Sequence, residues 1–314
     1  MLRTMVSATC PVTNCAKADL PRQGISARIG DSVKAAIHIS SLTLLLLVVI
    51  FCISAATQKP DSIAVSYLGF DLNAYPGDDA LPLLKKTFSF ASYWLSAPPG
   101  EKSSSWTGKR KLLEHQGFGF VVLFNALESR EVKSMQVARA KGILDAQRAS
   151  KLAAQEGFPA GTVIFLDVEE GGRLPATYQT YLQTWFESLA ANGFRAGVYC
   201  SGIPVDEGHG VRITSAQDIQ SHAGSTKIVY WVFNDSCPPS PGCTFPKTPA
   251  SPSTSGTDFA AVWQYAQTPM RKERTEHCRA TYAPDGNCYA PGDQQHKWFL
   301  DANVASTPDP SSTK

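Results

Sequence analysis

From residue 66 onward, short apolar runs alternate with stretches of helical periodicity. The runs are rich in β-branched and aromatic residues and roughly four to eight residues long, the size of buried strands. They predict strands at 66–71, 90–95, 118–125, 162–167, 196–200, 227–233, 259–265 and 298–301. Helices are predicted at 79–87, 133–156, 177–192 and 215–222. The long helix is Ala-rich and stops at Gly157 with Pro159 just beyond, the usual punctuation of a helix C-terminus. In the fourth strand, Val163-Ile164-Phe165-Leu166 stays apolar until Asp167, as a strand buried on both faces requires.

Eight strands in β/α alternation over about 240 residues predict an α/β fold, a single-domain (β/α)8 TIM barrel at 66–306. An open doubly wound sheet is the alternative, but such sheets usually carry a Gly-rich phosphate loop after their first strand. The chain has no G-x-G-x-x-G or Walker A sequence. After strands six and seven no helix is predicted; Pro/Ser/Gly-rich loops at 236–257 and 271–295 stand there instead. Residues 57–65 read as a linker and 307–314 as a polar tail.

Composition narrows the function classes. The 314 residues are 43% hydrophobic and 18% charged, with a net charge of +2. That balance is globular and gives no electrostatic reason to expect a nucleic-acid partner. Residues 39–56 are apolar and uncharged, with Lys34 before them and Ser54-Ala55-Ala56 at the end. They read as a secretory signal cleaved after about Ala56, making 1–56 a leader and the product secreted or periplasmic, free of the membrane after cleavage. An uncleaved membrane anchor is the competing reading. Residues 1–32 are polar and too long for an ordinary n-region, so translation starting at Val33 is a second reading of the leader. Lipidation at Cys52 is disfavoured by the bulky Phe51 before it.

Cysteine usage fits export. Cys237, Cys243, Cys278 and Cys288 form two close pairs in the long loops. Bridges Cys237–Cys243 and Cys278–Cys288 are expected, stapling the loops after strands six and seven, although four cysteines allow three pairings. Neither pair has zinc-ligand spacing, and the histidines are scattered, so no metal and no cofactor is expected. Cys200, at the end of a strand, reads as core.

Barrel chemistry sits at the C-terminal ends of the strands. There the chain places Asp71 on strand one, Asp167 and Glu169 on strand four, Trp263-Gln264-Tyr265 on strand seven and Asp301 on strand eight. Asp167 and Glu169 are two apart, so they share a face with Cα atoms roughly 6–7 Å apart. Glycoside hydrolysis needs such a pair: one carboxyl protonates the leaving oxygen and the other stabilises or captures the cationic sugar centre. Crowding raises one pKa and so creates the acid. Taken alone, D-x-E also suits a cation site or an ion-paired structural cluster. Glu170 should face the other way. Aromatic residues near strand ends suit the apolar faces of sugar rings, as well as ordinary core. Tyr93, Trp94, Tyr199, Trp231, Trp263 and Tyr265, with Gln264, are the candidate substrate contacts. No G-x-S-x-G elbow is present, so a serine hydrolase triad lacks support.

Several pieces occur in one order and spacing: Gly69-Phe70-Asp71, Tyr93-Trp94-Leu95, Gly157-Phe158-Pro159, Phe165-Leu166-Asp167-Val168-Glu169, Trp263-Gln264-Tyr265 and Leu300-Asp301-Ala302-Asn303. In these the chain resembles the glycoside hydrolase-like barrel domain of unknown function found in secreted bacterial proteins, a distant relative of the family 25, Chalaropsis-type muramidases. The resemblance implies Glu169 as general acid and Asp167 as the assisting carboxylate, positioning a 2-acetamido group, with Asp71 and Asp301 completing the site. Where those lysozymes continue with a Ser and an aromatic–Gln signature, this chain has Leu72-Asn73-Ala74-Tyr75. The implied function is hydrolysis of cell-wall glycan by an exported, monomeric O-glycosyl hydrolase, with peptidoglycan or another polysaccharide as partner. A non-catalytic glycan-binding or envelope scaffold protein on the same barrel is the alternative, and a glycan-building transferase is a third reading.

Overall fold

The computed structural model describes residues 65–236, 240–270 and 280–313. The leader and both readings of it, together with Cys237 and Cys278, lie outside the described residues. Among the described residues no helix is long and apolar enough to cross a membrane.

The elements run β1 (Tyr67–Asp71), α1 (Leu81–Leu84), β2 (Phe90–Trp94), α2 (Arg110–His115), β3 (Gly119–Asn125), α3 (Met135–Gln155) and β4 (Val163–Asp167). They continue through α4 (Ala176–Ala191), β5 (Arg195–Ser201), a small hairpin of β6 (Val205–Asp206) and β7 (Arg212–Ile213), α5 (Ser215–His222), β8 (Val229–Phe233), β9 (Ala260–Ala266) and β10 (Asp301–Ala305). Eight strands close a barrel in the order β1-β10-β9-β8-β5-β4-β3-β2. The α/β barrel expected from the apolar runs is the fold observed.

Local chemistry accounts for the outer layer. The Ser134 hydroxyl caps α3 by accepting from the Val137 amide, and Gly157 takes the left-handed φ of 82° just past its end. Helices α3 and α4 pack tightly where Gly142 faces Tyr181, because a methyl there would sit 2.8 Å from the Tyr181 carbonyl oxygen. Replacing Gly142 would push the two helices apart.

The closing strand departs from expectation. It was placed at 298–301; it spans Asp301–Ala305 and runs antiparallel to both β1 and β9. Among the described residues the connection after β9 has no return helix, and β10 is entered from the mouth. Asp301 therefore begins its strand rather than ending it, yet still sits at the mouth, directly opposite Asp71.

The disulfides also depart. Cys243 bonds Cys288, 45 residues away, with Cα atoms 5.4 Å apart. That bond excludes both Cys237–Cys243 and Cys278–Cys288. Strands β8 and β9 are neighbours in the barrel. The loops that follow them lie side by side: the Tyr265 hydroxyl donates to the Thr244 carbonyl at 2.8 Å, and Gly242 lies against Thr281. Proximity in space replaces proximity in sequence. Cys200 is fully buried and unpaired, in the core.

The polar end of the chain has a structural job. The Asp309 carboxylate accepts from the Phe120 amide at 2.9 Å, and the Ser311 hydroxyl accepts from the Val122 amide at 2.9 Å. The Ser311 backbone bonds Phe120 and Val163, each at 2.9 Å. Short polar residues thus supply ladder partners to β3 and β4 at the barrel's lower end.

Candidate functional site

Strand parity decides what enters the barrel. On β4, Phe165 points inward and packs edge-on against Trp231 at 5.8 Å, so Asp167, two residues on, faces the same way. The Val168 amide still bonds the Tyr199 carbonyl at 2.9 Å, which carries strand geometry past the end of β4 and brings Glu169 to the same face. Glu170 turns outward and accepts from the Ser129 amide.

Asp71, Asp167, Glu169 and Asp301 line one cavity of about 370 Å³, together with Trp94, Tyr199 and Trp231. This lies at the lower end of the range of about 300–1,000 Å³ for small-molecule sites. Among the described residues that line it there is no Lys, Arg or His. Trp231 and Tyr199 form the floor in an edge-to-face pair at 4.9 Å. The Trp231 indole donates to Asn303 at 2.9 Å, and the Trp94 indole to the Leu72 carbonyl at 3.2 Å.

Gln264 is the hub of the polar network. Its Oε1 accepts from the Tyr199 hydroxyl and from the Gln267 amide, both at 2.7 Å. That fixes its Nε2 toward the carboxyls of Asp71 and Asp301, at 3.4 Å each. Asp301 also accepts from the Thr268 amide at 2.6 Å. Oδ1 of Asp71 and Oδ2 of Asp167 are buried without a hydrogen-bond partner.

The electrostatics follow from burial and from the crowding of carboxyls. Desolvation pushes Asp71 up to about 6, with the Glu169 charge adding and the hydrogen bond to Ser92 opposing. Asp167 is raised well above the usual carboxylate range, first by burial, then by the charges of Glu169 and Asp71 and by its hydrogen bond with Glu169. Asp301 is raised likewise by burial and Asp71, with the Thr268 amide opposing. All three shifts share one origin, the crowding of carboxyls in a site shielded from water. Among the described residues no group of three or more His, Cys, Asp or Glu side chains is placed to hold a metal ion.

Four expected substrate contacts do not line the cavity: Gln264 is fully buried and bonds its carboxyls, and three others lie elsewhere. Tyr93 faces the outer layer, where its ring packs on Trp106, Phe120 and Phe158 and its hydroxyl donates to Glu156. Trp263 donates to the Asn234 carbonyl at 3.0 Å, outside the cavity, and packs on Tyr265. Tyr265 is held by Thr244 beneath the loop after β8. The reason is alternation: with Trp94 and Gln264 inward, their sequence neighbours must point outward. The cavity also contains residues that the sequence reading missed, among them Asn73, Pro99, Leu123 and Gln267. Asn303 carried a readable signal, since it lies two residues from Asp301 and shares its face.

Comparison with known proteins gives the following. The fold is similar to an uncharacterized protein of B. stearothermophilus, 20% identical over 76% of this chain and 95% of that one, with a TM-score of 0.49. It is similar to the spore cortex lytic enzyme SleM of Clostridium perfringens, 15% identical over 80% of this chain and 70% of that one, TM-score 0.46. A family 25 glycosyl hydrolase from Bacillus anthracis is 13% identical over 77% of this chain and 89% of that one, TM-score 0.40. None of the curated proteins compared matches the chain. Residues 104–237, which contain Asp167 and Glu169, match the family described as the Rv2525c-like, glycoside hydrolase-like domain.

Proposed function

We propose that this protein is an exported glycoside hydrolase that cuts cell-wall glycan of the peptidoglycan type, built of 2-acetamido sugars. The observation that carries the reading is the cavity in which Asp71, Asp167, Glu169 and Asp301 meet. The match of residues 104–237 to a glycoside hydrolase-like domain supports it. The apolar stretch 39–56 supports export.

In this mechanism Asp167, buried and raised by the neighbouring Glu169 charge, shares a proton with the exposed Glu169 through their hydrogen bond. Glu169 delivers it to the glycosidic oxygen as the bond to the anomeric carbon breaks; the leaving sugar departs as an alcohol, and water then adds to the anomeric carbon and returns a proton to the carboxyl pair. Asp167 orients the 2-acetamido group beside the sugar centre. Asp71 and Asp301 supply negative charge to the oxocarbenium-like transition state, and Gln264 holds those two carboxyls in place.

The test is incubation of purified protein with peptidoglycan and chitooligosaccharides, with reducing ends counted, against Glu169→Gln. The amide cannot give up a proton, so release should fall at least roughly 100-fold. No release by the wild type, or equal release by the variant, overturns the proposal. Glycan binding without release would instead favour the scaffold reading.

A further inference from the structure

A second cavity of about 490 Å³ opens beside the first and shares Asp71 and Asp301 with it, as well as Asn73. The two are successive stretches of one groove. Their linings differ in character. The inner stretch is ringed by carboxyls, whereas the outer one is walled by Tyr75, Trp298 and Phe299, with Glu101 and Lys297 among its polar groups.

Phe299 is the telling residue. It is 54% exposed and stands in the wall of the outer cavity beside Trp298. Yet its backbone is pinned. Phe299 pairs with Tyr289 in an antiparallel bridge, and the next amide, Leu300, bonds the Cys288 carbonyl at 3.0 Å. Cys288 is tied in turn to Cys243. On the other wall, the Tyr75 ring packs edge-on against Trp106 at 5.2 Å, and its hydroxyl bonds Asp78 at 2.8 Å. Trp298 is half-buried, and its amide donates to Asp293 at 3.0 Å. Aromatic surfaces held this firmly lose little freedom on binding, the condition for an effective platform.

We infer that the outer cavity is a second saccharide subsite, in which the sugars of a linear glycan beyond the disaccharide held in the carboxyl-lined cavity lay an apolar face on Phe299. This rests on the glycosidase reading and adds chain-length selectivity to it: the preferred substrate is an oligosaccharide long enough to fill both cavities. The polar groups at the rim, Lys297 and Thr268, suit the hydroxyls at the ring edge.

The test is binding of chitobiose and chitotetraose to the full-length protein carrying Glu169→Gln, followed by tryptophan fluorescence, with and without Phe299→Ala or Phe299→Trp. The tetrasaccharide should bind at least roughly tenfold more tightly than the disaccharide. Phe299→Ala should abolish that advantage and leave disaccharide affinity unchanged. Phe299→Trp should restore it, which separates a platform from a folding defect. Equal affinity for the two lengths, or an advantage that survives Phe299→Ala, overturns the subsite; if the wild type still releases reducing ends in a Glu169-dependent way, the glycosidase reading stands without it. Binding of neither saccharide removes both.

Discussion

Replacing Asp71 with Asn should stabilise the protein at neutral pH, and only there. Asp71 is 9% exposed, and burial beside Glu169 raises it from 3.8 to about 6. A carboxyl raised on folding binds protons more tightly in the native state than in the unfolded chain. Wild-type stability from this group is therefore complete below pH 3.8 and is lost as pH rises through about 6. The difference between the two values corresponds to about 3 kcal/mol once the group is ionised in both states. Asn keeps the shape and removes the charge. It can still accept from Gln264 through its carbonyl, but its amide nitrogen must find a partner where Oδ1 of Asp71 has none. That offset leaves an expected gain of about 1–2 kcal/mol at pH about 7.5. For a domain of this size the gain is about 3–6 °C in Tm. Thermal melts of both proteins at about pH 4, 6 and 7.5 read it directly. The gap should open with rising pH and close near pH 4. A variant no more stable than wild type at pH 7.5, or a gap of constant size across the range, would refute the burial argument for this site.

Two further outcomes follow from the loops and the chain end. Peptide mapping without reduction should recover a Cys243–Cys288 linked pair, and Cys243→Ala should lower stability by up to about 4 kcal/mol, the chain-entropy value for a closed loop of 45 residues; a melt unchanged by the substitution would show that the strap is held by packing alone. Ending the chain after Ser306 removes the partners that Asp309 and Ser311 give to Phe120, Val122 and Val163. It should lower the urea midpoint by an amount equal to roughly 2–4 kcal/mol and increase aggregation through the exposed strand ends; an unchanged midpoint and solubility would make the segment dispensable.

How much of this was legible in the sequence depends on which physical rule applied. Buried parallel strands announce themselves, because both faces need apolar residues: Val163-Ile164-Phe165-Leu166 was placed to within a residue, and so was Asp167 at its end. The closing strand was misplaced because Trp298-Phe299-Leu300 has strand composition but forms a cavity wall, whereas the strand itself, starting with Asp301 and Ala302, looks bland. Aromaticity alone misled at Tyr93, Trp263 and Tyr265, where parity was the better guide: two neighbours on a strand cannot both face the lumen. Disulfide pairing was illegible in principle, since it depends on which loops the barrel order brings side by side.

The antiparallel closing strand has a consequence for chemistry that a strict eightfold repeat would not provide. In a parallel strand the residue at the mouth is the last, and its partner on the next strand is offset by the barrel's stagger. Here the register sets Asp301 directly opposite Asp71. A buried and a half-buried carboxyl in one register pair repel, and each is raised first by desolvation and then by charged neighbours. The fold counters this locally with Gln264 on β9, reaching both from the one neighbouring strand whose inward parity matches. Substituting Gln264 with Leu would remove that shared donor while leaving the apolar volume. Burial comes first in raising both carboxyls, and Gln264 fixes where they stand. Loss of the donor should therefore disturb their placement, read as a loss of saccharide affinity, more than their charge.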